Sequence, residues 1–243
     1  MLYINKTKKT KCERPILITD FDMTLTSQSS NSSIGVFSKF LSEEYIEQKA
    51  LLNQQEQQIS EFLDRDAIQR EINRLWIEKI KLLSKHLTDW KIIHEIVHSG
   101  EFNFREGAIE SLKELQDRGV PIIVNSSGIG ELATEILQYN GCDMNKLLVF
   151  SNYVLNPQNY FITPEQKYIS LYQPMIEKSD QIVLMGDTIG DLSMIEKSTP
   201  MSISIGFLDC EYDKYLDEFN RNFDIVATND TAYDVPLKKI KML

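Results

Sequence analysis

Cysteine is scarce in this chain: Cys12, Cys142 and Cys210 are scattered, odd in number and form no CxxC pair. That excludes a disulfide framework and a thiolate zinc site, and predicts reduced thiols in a cytoplasmic setting. Basic charge is also in deficit. Lys and Arg total 26 against 36 Asp and Glu, for a net charge of -10. A protein that coats nucleic acid would need clustered Lys and Arg. A small anionic ligand remains compatible, because one local basic residue or a metal reverses the field inside a cleft. No stretch approaches the ~20 apolar residues of a membrane span. The basic segment Lys6–Lys11 is followed by no apolar run of the signal-peptide kind. Neither a nucleic-acid polymer nor a membrane is expected as a partner. Only three histidines occur, His86, His94 and His98. No Glu or Cys is placed to complete a metal motif with them, so they read as surface or packing residues.

What is present suits a globular α/β protein of 243 residues with 42% hydrophobic content. Short apolar runs predict buried strands at Ile16–Thr19, Pro121–Asn125, Leu147–Phe150, Gln181–Met185, Ser202–Ile205 and Ile225–Thr228. Helical patterns lie between most of them, at Glu106–Arg118, Glu131–Tyr139, Pro164–Glu177, Asp191–Lys197, Asp213–Asn220 and near Val235–Ile240. Such alternation predicts a parallel sheet covered on both faces. The region from Ser27 to Asn103 differs. It has no strand-like run, and Ile68, Ile72, Leu75, Trp76, Ile80, Leu83 and Leu87 make one helical stripe. The expected division is therefore an α/β core of residues 1–26 and 104–243, interrupted by a helical cap at 27–103.

Four polar clusters follow or end predicted strands. Asp20 and Asp22, with Thr24, follow the first strand. Residues i and i+2 of a strand share a face, so the two carboxylates are expected side by side. Paired carboxylates repel, and need a cation, a shared proton or open water. Asn125-Ser-Ser-Gly-Ile-Gly130 places a hydroxyl and glycines at an expected helix start, where O–H and N–H groups can face an anion. Lys167 is expected at the start of a helix. Gly186-Asp-Thr-Ile-Gly-Asp191 adds two carboxylates one helical turn apart. Each cluster alone has a bland reading as a turn, a cap or a solvated side chain. Together at neighbouring strand tips they would make a site for a hard cation and a phosphate.

Asp20-Phe-Asp-Met-Thr-Leu-Thr26, Ser126, Lys167 and Gly186-Asp-Thr-Ile-Gly-Asp-Leu-Ser-Met194 resemble the four motifs of the haloacid dehalogenase superfamily. They are most similar to its cytosolic pyrimidine 5'-nucleotidase branch, as is Ser151-Asn152-Tyr153. The resemblance implies a Rossmann-like core with an inserted helical cap, and a Mg²⁺-dependent phosphatase. Asp20 would be the nucleophile and Asp22 the general acid and base. Thr24, Ser126, Ser127, Gly128 and Lys167 would hold the substrate phosphate. Asp20, Asp22, Asp187 and Asp191 would serve the metal, Asp22 through its backbone carbonyl. A nucleoside 5'-monophosphate, pyrimidine first, is the implied substrate; phosphoserine or a sugar phosphate is the alternative. A non-catalytic binding protein on the same fold is the reading from another class. In the cap, Glu56, Glu61, Phe62 and Trp76 are the candidates to read a base, with core packing the blander reading of both aromatics.

Overall fold

The computed structural model describes residues 1–5, 14–59, 64–167, 170–195 and 202–242. Its centre is a seven-stranded sheet: β1 Leu2–Ile4, β2 Pro15–Thr19, β3 Ile122–Ile129, β4 Leu147–Asn152, β5 Gln181–Gly186, β6 Ser202–Leu208 and β7 Ile225–Thr228. The spatial order is β1-β7-β6-β5-β2-β3-β4. All neighbours run parallel except β1, which pairs antiparallel with β7 at the edge. Strand β1 has no counterpart among the expected strands; it is three residues long and borders a run of lysines.

Period-2 alternation builds the two faces of the sheet. In β2, Leu17 joins one apolar cluster while Ile16 and Ile18 join the other. All three are fully buried. The near-continuous apolar runs noted in the sequence are what a sheet covered on both sides requires. The chain leaves β2 in one direction to β3 and β4, and in the other to β5, β6 and β7. The point where the order reverses lies between β2 and β5, and it opens the crevice where α/β sheets take their ligands.

Helices α4 (Ala108–Asp117), α5 (Gly130–Tyr139), α6 (Gln173–Lys178), α7 (Tyr212–Asn222) and α8 (Asp234–Lys239) accompany the sheet. Earlier in the chain, after β2, come α1 (Glu43–Gln57), α2 (Arg65–His86) and α3 (Trp90–His98). Ser42 and Asp64 cap α1 and α2, each accepting from a backbone N–H three residues on. Helices α1 and α2 pack on each other, whereas α3 packs on α5. His94 meets Glu135 of α5 at 3.1 Å, and the His98 ring stands edge-on to Tyr139 at 4.8 Å. The His86 ring lies tilted against Tyr45, with centroids 5.6 Å apart. The histidines thus join helices. Of the cysteines, Cys142 is buried and Cys210 exposed, both free; Cys12 and Lys6–Lys11 lie outside the described residues.

Two expected helices take another form. The stretch Pro164–Glu177 is a turn closed by a Thr163–Gln166 bridge, then a 3-10 turn at Ser170–Tyr172, then α6. Pro174 stands in the first turn of α6, where a missing N–H costs nothing, but it would interrupt a longer helix. After β5, residues Ile189–Met194 form 3-10 turns rather than an α-helix; the rest of that expected helix, to Lys197, lies largely outside the described residues.

Candidate active site at the strand tips

Strands β5, β2 and β3 are neighbours, so Asp187, Asp20 and Ser126 arrive at one end of the sheet. The ladder itself carries the alignment into the site: Asp20 N–H donates to Met185 O at 2.9 Å. Asp20 and Lys167 are buried and pair at 2.7 Å. The same ammonium meets Asp191 Oδ1 at 2.6 Å, and Asp191 is fully buried. Asp20, Asp187 and Asp191 each bring one carboxylate oxygen within 4.8 Å of the others.

The electrostatics follow from that crowding. Burial raises the Asp20 carboxyl to about 7, against the pull of Lys167. Burial, then Asp191 and Asp20, hold Asp187 well above the usual carboxylate range. Burial disfavours the Lys167 ammonium, but Asp191 and Asp20 more than offset it and raise its pKa. Three carboxyl groups share one ammonium, so the cluster is short of positive charge. The donor set is all oxygen. Both properties fit a hard divalent cation such as Mg²⁺.

Local geometry explains why each side chain stands where it does. Asp191 Oδ2 accepts from Asp187 N–H, Thr188 N–H and Thr188 Oγ1–H at 2.8–3.0 Å. These bonds, a capping box among them, fasten the Asp191 carboxylate to the backbone at Asp187 and Thr188. Gly186 is required beside it: a Cβ there would lie 2.4 Å from the Asp191 carboxylate. Lys167 is not at a helix start. It sits in the turn after Thr163, with its N–H donating to Ser193 Oγ at 3.0 Å and its carbonyl accepting from Asn125 Nδ2 at 2.6 Å. A turn lets the side chain point inward to Asp20, which the exposed face of a helix would not.

Ser126, Ser127 and Gly128 are also not at a helix start. Strand β3 continues to Ile129 with a register shift between Asn125 and Ile129, and α5 begins at Gly130. The bulged strand turns these residues into the site. Ser126 Oγ accepts from Gly128 N–H at 3.0 Å. Ser127 O accepts from Asn152 Nδ2 at 2.6 Å, and Ser151 Oγ–H donates to Gly128 O at 3.0 Å. The Ser-Asn pair at the end of β4 therefore clamps the bulge.

Asp22 departs from the expected pairing. Strand β2 ends at Thr19, so the strand period does not reach Asp22. Its carboxylate stays out of the three-carboxylate cluster and accepts from Ser33. Thr24 is fully buried, with its hydroxyl 3.4 Å from Asp187 Oδ1, on the metal-ligand side rather than among the Ser126 group. Met23 turns the chain with φ 57. Its N–H donates to Thr26 Oγ1, and its carbonyl accepts from Arg105 Nη2 at 2.5 Å. Arg105 is 1% exposed; it also donates to Thr24 O, pairs with Asp209 at 2.7 Å and lies over the Phe207 ring. No sequence signal marks Arg105 or Ser33, because their partners lie far away along the chain or share no motif with them.

From the helical side, Trp76 of α2 donates its indole N–H to Ser127 O at 2.9 Å. It is partly buried and packs against the core, yet its polar edge touches the bulge. Glu56 of α1 pairs with Lys79 of α2 at 2.7 Å, and Lys79 lies 5.8 Å from the Trp76 ring. Glu61 and Phe62 lie outside the described residues.

The family model described as Pyrimidine 5'-nucleotidase (UMPH-1) matches residues 18–243. The 7-methylguanosine phosphate-specific 5'-nucleotidase of Drosophila melanogaster is 24% identical over 257 residues, covering 95% of this chain and 80% of the relative. The Homo sapiens protein of that name is 24% identical over 248 residues, covering 92% and 82%. The crystal structure of cytosolic 5'-nucleotidase IIIB bound to cytidine has a TM-score of 0.79 at 24% identity, covering 94% of this chain and 84% of that one. That likeness shows a shared fold. With its strand-tip carboxylates, its buried lysine and a family match over nearly the whole length, the chain belongs to the pyrimidine 5'-nucleotidase (UMPH-1) family, phosphoric monoester hydrolases of the haloacid dehalogenase type.

Proposed function

We propose that the protein is a Mg²⁺-dependent cytoplasmic 5'-nucleotidase that releases phosphate from nucleoside 5'-monophosphates, pyrimidine first, through an aspartyl-phosphate. The observation that carries the reading is Asp20: a buried carboxylate at a strand tip, gripped by Lys167 and crowded by Asp187 and Asp191. A carboxylate so held is oriented for in-line attack on phosphorus and is kept from wandering. Asp22 protonates the departing ester oxygen. It then takes a proton from the water that hydrolyses the aspartyl-phosphate, which regenerates Asp20. Lys167, the Ser126 hydroxyl and the N–H groups near Ser127 and Gly128 stabilise charge on the phosphoryl oxygens. Asp20, Asp187 and the Asp22 carbonyl would hold Mg²⁺, with Asp191 orienting the set; the ion would neutralise charge shared by nucleophile and phosphate.

Residues 27–103 act as the cap in this reading, and α1 and α2 are its working part. Trp76 and the Glu56–Lys79 pair stand on the cap side of the phosphate bulge, where a nucleoside would lie. A second substrate is favoured by the names of the relatives, which are specific for 7-methylguanosine phosphate. Its cationic base suits an indole face and a carboxylate.

The test is phosphate release with Mg²⁺ from CMP, UMP, 7-methyl-GMP, phosphoserine and glucose 6-phosphate, with Asp20→Asn as the control. The reading expects CMP and UMP, or 7-methyl-GMP, to exceed the other two by at least tenfold in kcat/KM. Equal or better turnover of phosphoserine or the sugar phosphate would overturn the nucleotidase reading and keep the phosphatase. Full activity of Asp20→Asn would overturn the nucleophile.

A further inference from the structure

Asp22 is held by one residue from outside its own loop. Ser33 N–H donates to both carboxylate oxygens, at 2.8 Å and 3.1 Å, and Ser33 Oγ–H donates to Oδ2 at 2.6 Å. Ser33 is fully buried. Both of its donors are spent on this one carboxylate. On its other side the hydroxyl abuts the phosphate bulge: a Cβ placed on Gly128 would lie 1.7 Å from Ser33 Oγ. Glycine at 128 leaves the room that Ser33 fills. Ser33 is thus wedged between the proposed acid and the loop that would bind the transferring phosphoryl group. The chain just beyond it is gripped from α1, where the Lys49 ammonium donates to Ile34 O, Gly35 O and Ser38 Oγ.

We infer that Ser33 is the positioning residue for the general acid: it fixes the rotation of the Asp22 carboxyl so that its proton is delivered to the leaving oxygen. Three short bonds from one residue leave the carboxyl plane little freedom, and two of them run to the same oxygen. A proton transfer in the transition state depends on that orientation, because the donor must lie within hydrogen-bond reach of the leaving atom. The inference deepens the proposed reaction and rests on Asp22 being its acid.

A structural role and a positioning role separate by leaving group. A nucleoside 5'-hydroxyl is a poor leaving group and needs its proton. p-Nitrophenol departs as the anion and does not. The ratio kcat/KM covers steps only up to formation of the aspartyl-phosphate, so later hydrolysis does not blur the comparison. Ser33→Ala, Ser33→Thr and Asp22→Asn are measured with CMP and with p-nitrophenyl phosphate, the latter serving also as a check that each variant is folded. Ser33→Ala is expected to lose roughly 10- to 100-fold in kcat/KM on CMP, the scale of one charge-assisted hydrogen bond, and to stay near wild type on p-nitrophenyl phosphate. Ser33→Thr, which keeps the hydroxyl, is expected to restore the ratio of the two substrates. Asp22→Asn is expected to show the same selectivity more strongly. Equal losses on both substrates in Ser33→Ala, with Asp22→Asn still selective, would overturn the role of Ser33 alone. Equal losses in Asp22→Asn would overturn the acid assignment and the role of Ser33 with it.

Discussion

The sheet and helix α1 are built by opposite means. In the sheet, the central strands β2 and β5 are buried on both faces, and the residues that crowd at its tips are fixed by ladder bonds and buried pairs. In α1, Tyr45 alone is buried over fifteen residues. Its contacts with α2 include the Glu56–Lys79 pair; α2 itself buries Leu75, Ile80, Leu82 and Leu83, and reaches towards the site through the Trp76 indole N–H and the Gln69–Glu165 bond. Regions with few buried apolar contacts open at low cost, whereas core strands open only with the whole protein. In the proposed reading the two regions divide the tasks, with chemistry at the sheet tips and choice of leaving group on the helical side.

Five measurements break or sharpen that comparison. The largest effect belongs to the sheet. Asp20→Asn should lower kcat by about 10⁴-fold or more while thermal melting changes little; a variant with a tenth of wild-type activity would sink the nucleophile. Lys167→Met comes next. Loss of the ammonium should cost about 10²- to 10³-fold in kcat and roughly 3 kcal/mol of stability, because a buried ion pair loses its cation. Denaturant melts and steady-state rates check this, and unchanged stability would contradict the account of the crowded carboxylates. Mg²⁺ should raise the melting temperature of the wild type by mass action, and Asp187→Asn should remove that rise. A rise that survives the substitution would place the ion elsewhere.

On the helical side the effects shrink. Trp76→Phe removes the bond to Ser127 O together with part of the ring's packing, and should lower kcat/KM on a nucleotide by about tenfold, the scale of one neutral hydrogen bond, with p-nitrophenyl phosphate unaffected. Equal losses on both substrates would make Trp76 a support of the bulge instead of a contact to the nucleoside side. Smallest is His94→Gln. The His94–Glu135 contact is largely exposed and joins α3 to α5, so melting should move by less than about 0.5 kcal/mol equivalent. A large shift would mean that α3 is held through that pair and not through its buried Ile93 and Ile96.

What the sequence made legible follows the same division. Buried strands need unbroken apolar runs, so all six expected strands appear and each begins within one residue of its observed start, while β3, β4 and β6 run two to four residues past the expected end. The clusters at their tips converge because strand order does the assembling. For side chains fixed by local irregularity the sequence marks the residue but not its setting. Lys167 depends on a turn, Ser126 on a strand bulge, and neither has a periodic signal. Asp22 was expected beside Asp20 because the period of a strand was carried past Thr19, where the strand ends. Ser33 and Arg105 act at sequence separations of 11 and more, through sets of hydrogen bonds that no motif encodes. In α1 the polar run Asn53–Gln58 predicts an exposed helix, and all but its last residue, the helix C-cap, lie in one. The partners of Glu56 could not be read from it.

The central claim is that Asp20 carries the phosphoryl group. The direct measurement is an acid quench of the enzyme turning over CMP with Mg²⁺, followed by borohydride reduction and peptide mass spectrometry. Reduction converts an aspartyl-phosphate to homoserine. The account predicts homoserine at position 20 and its loss in Asp20→Asn. Homoserine at another aspartate, or none under conditions of rapid turnover, would contradict it.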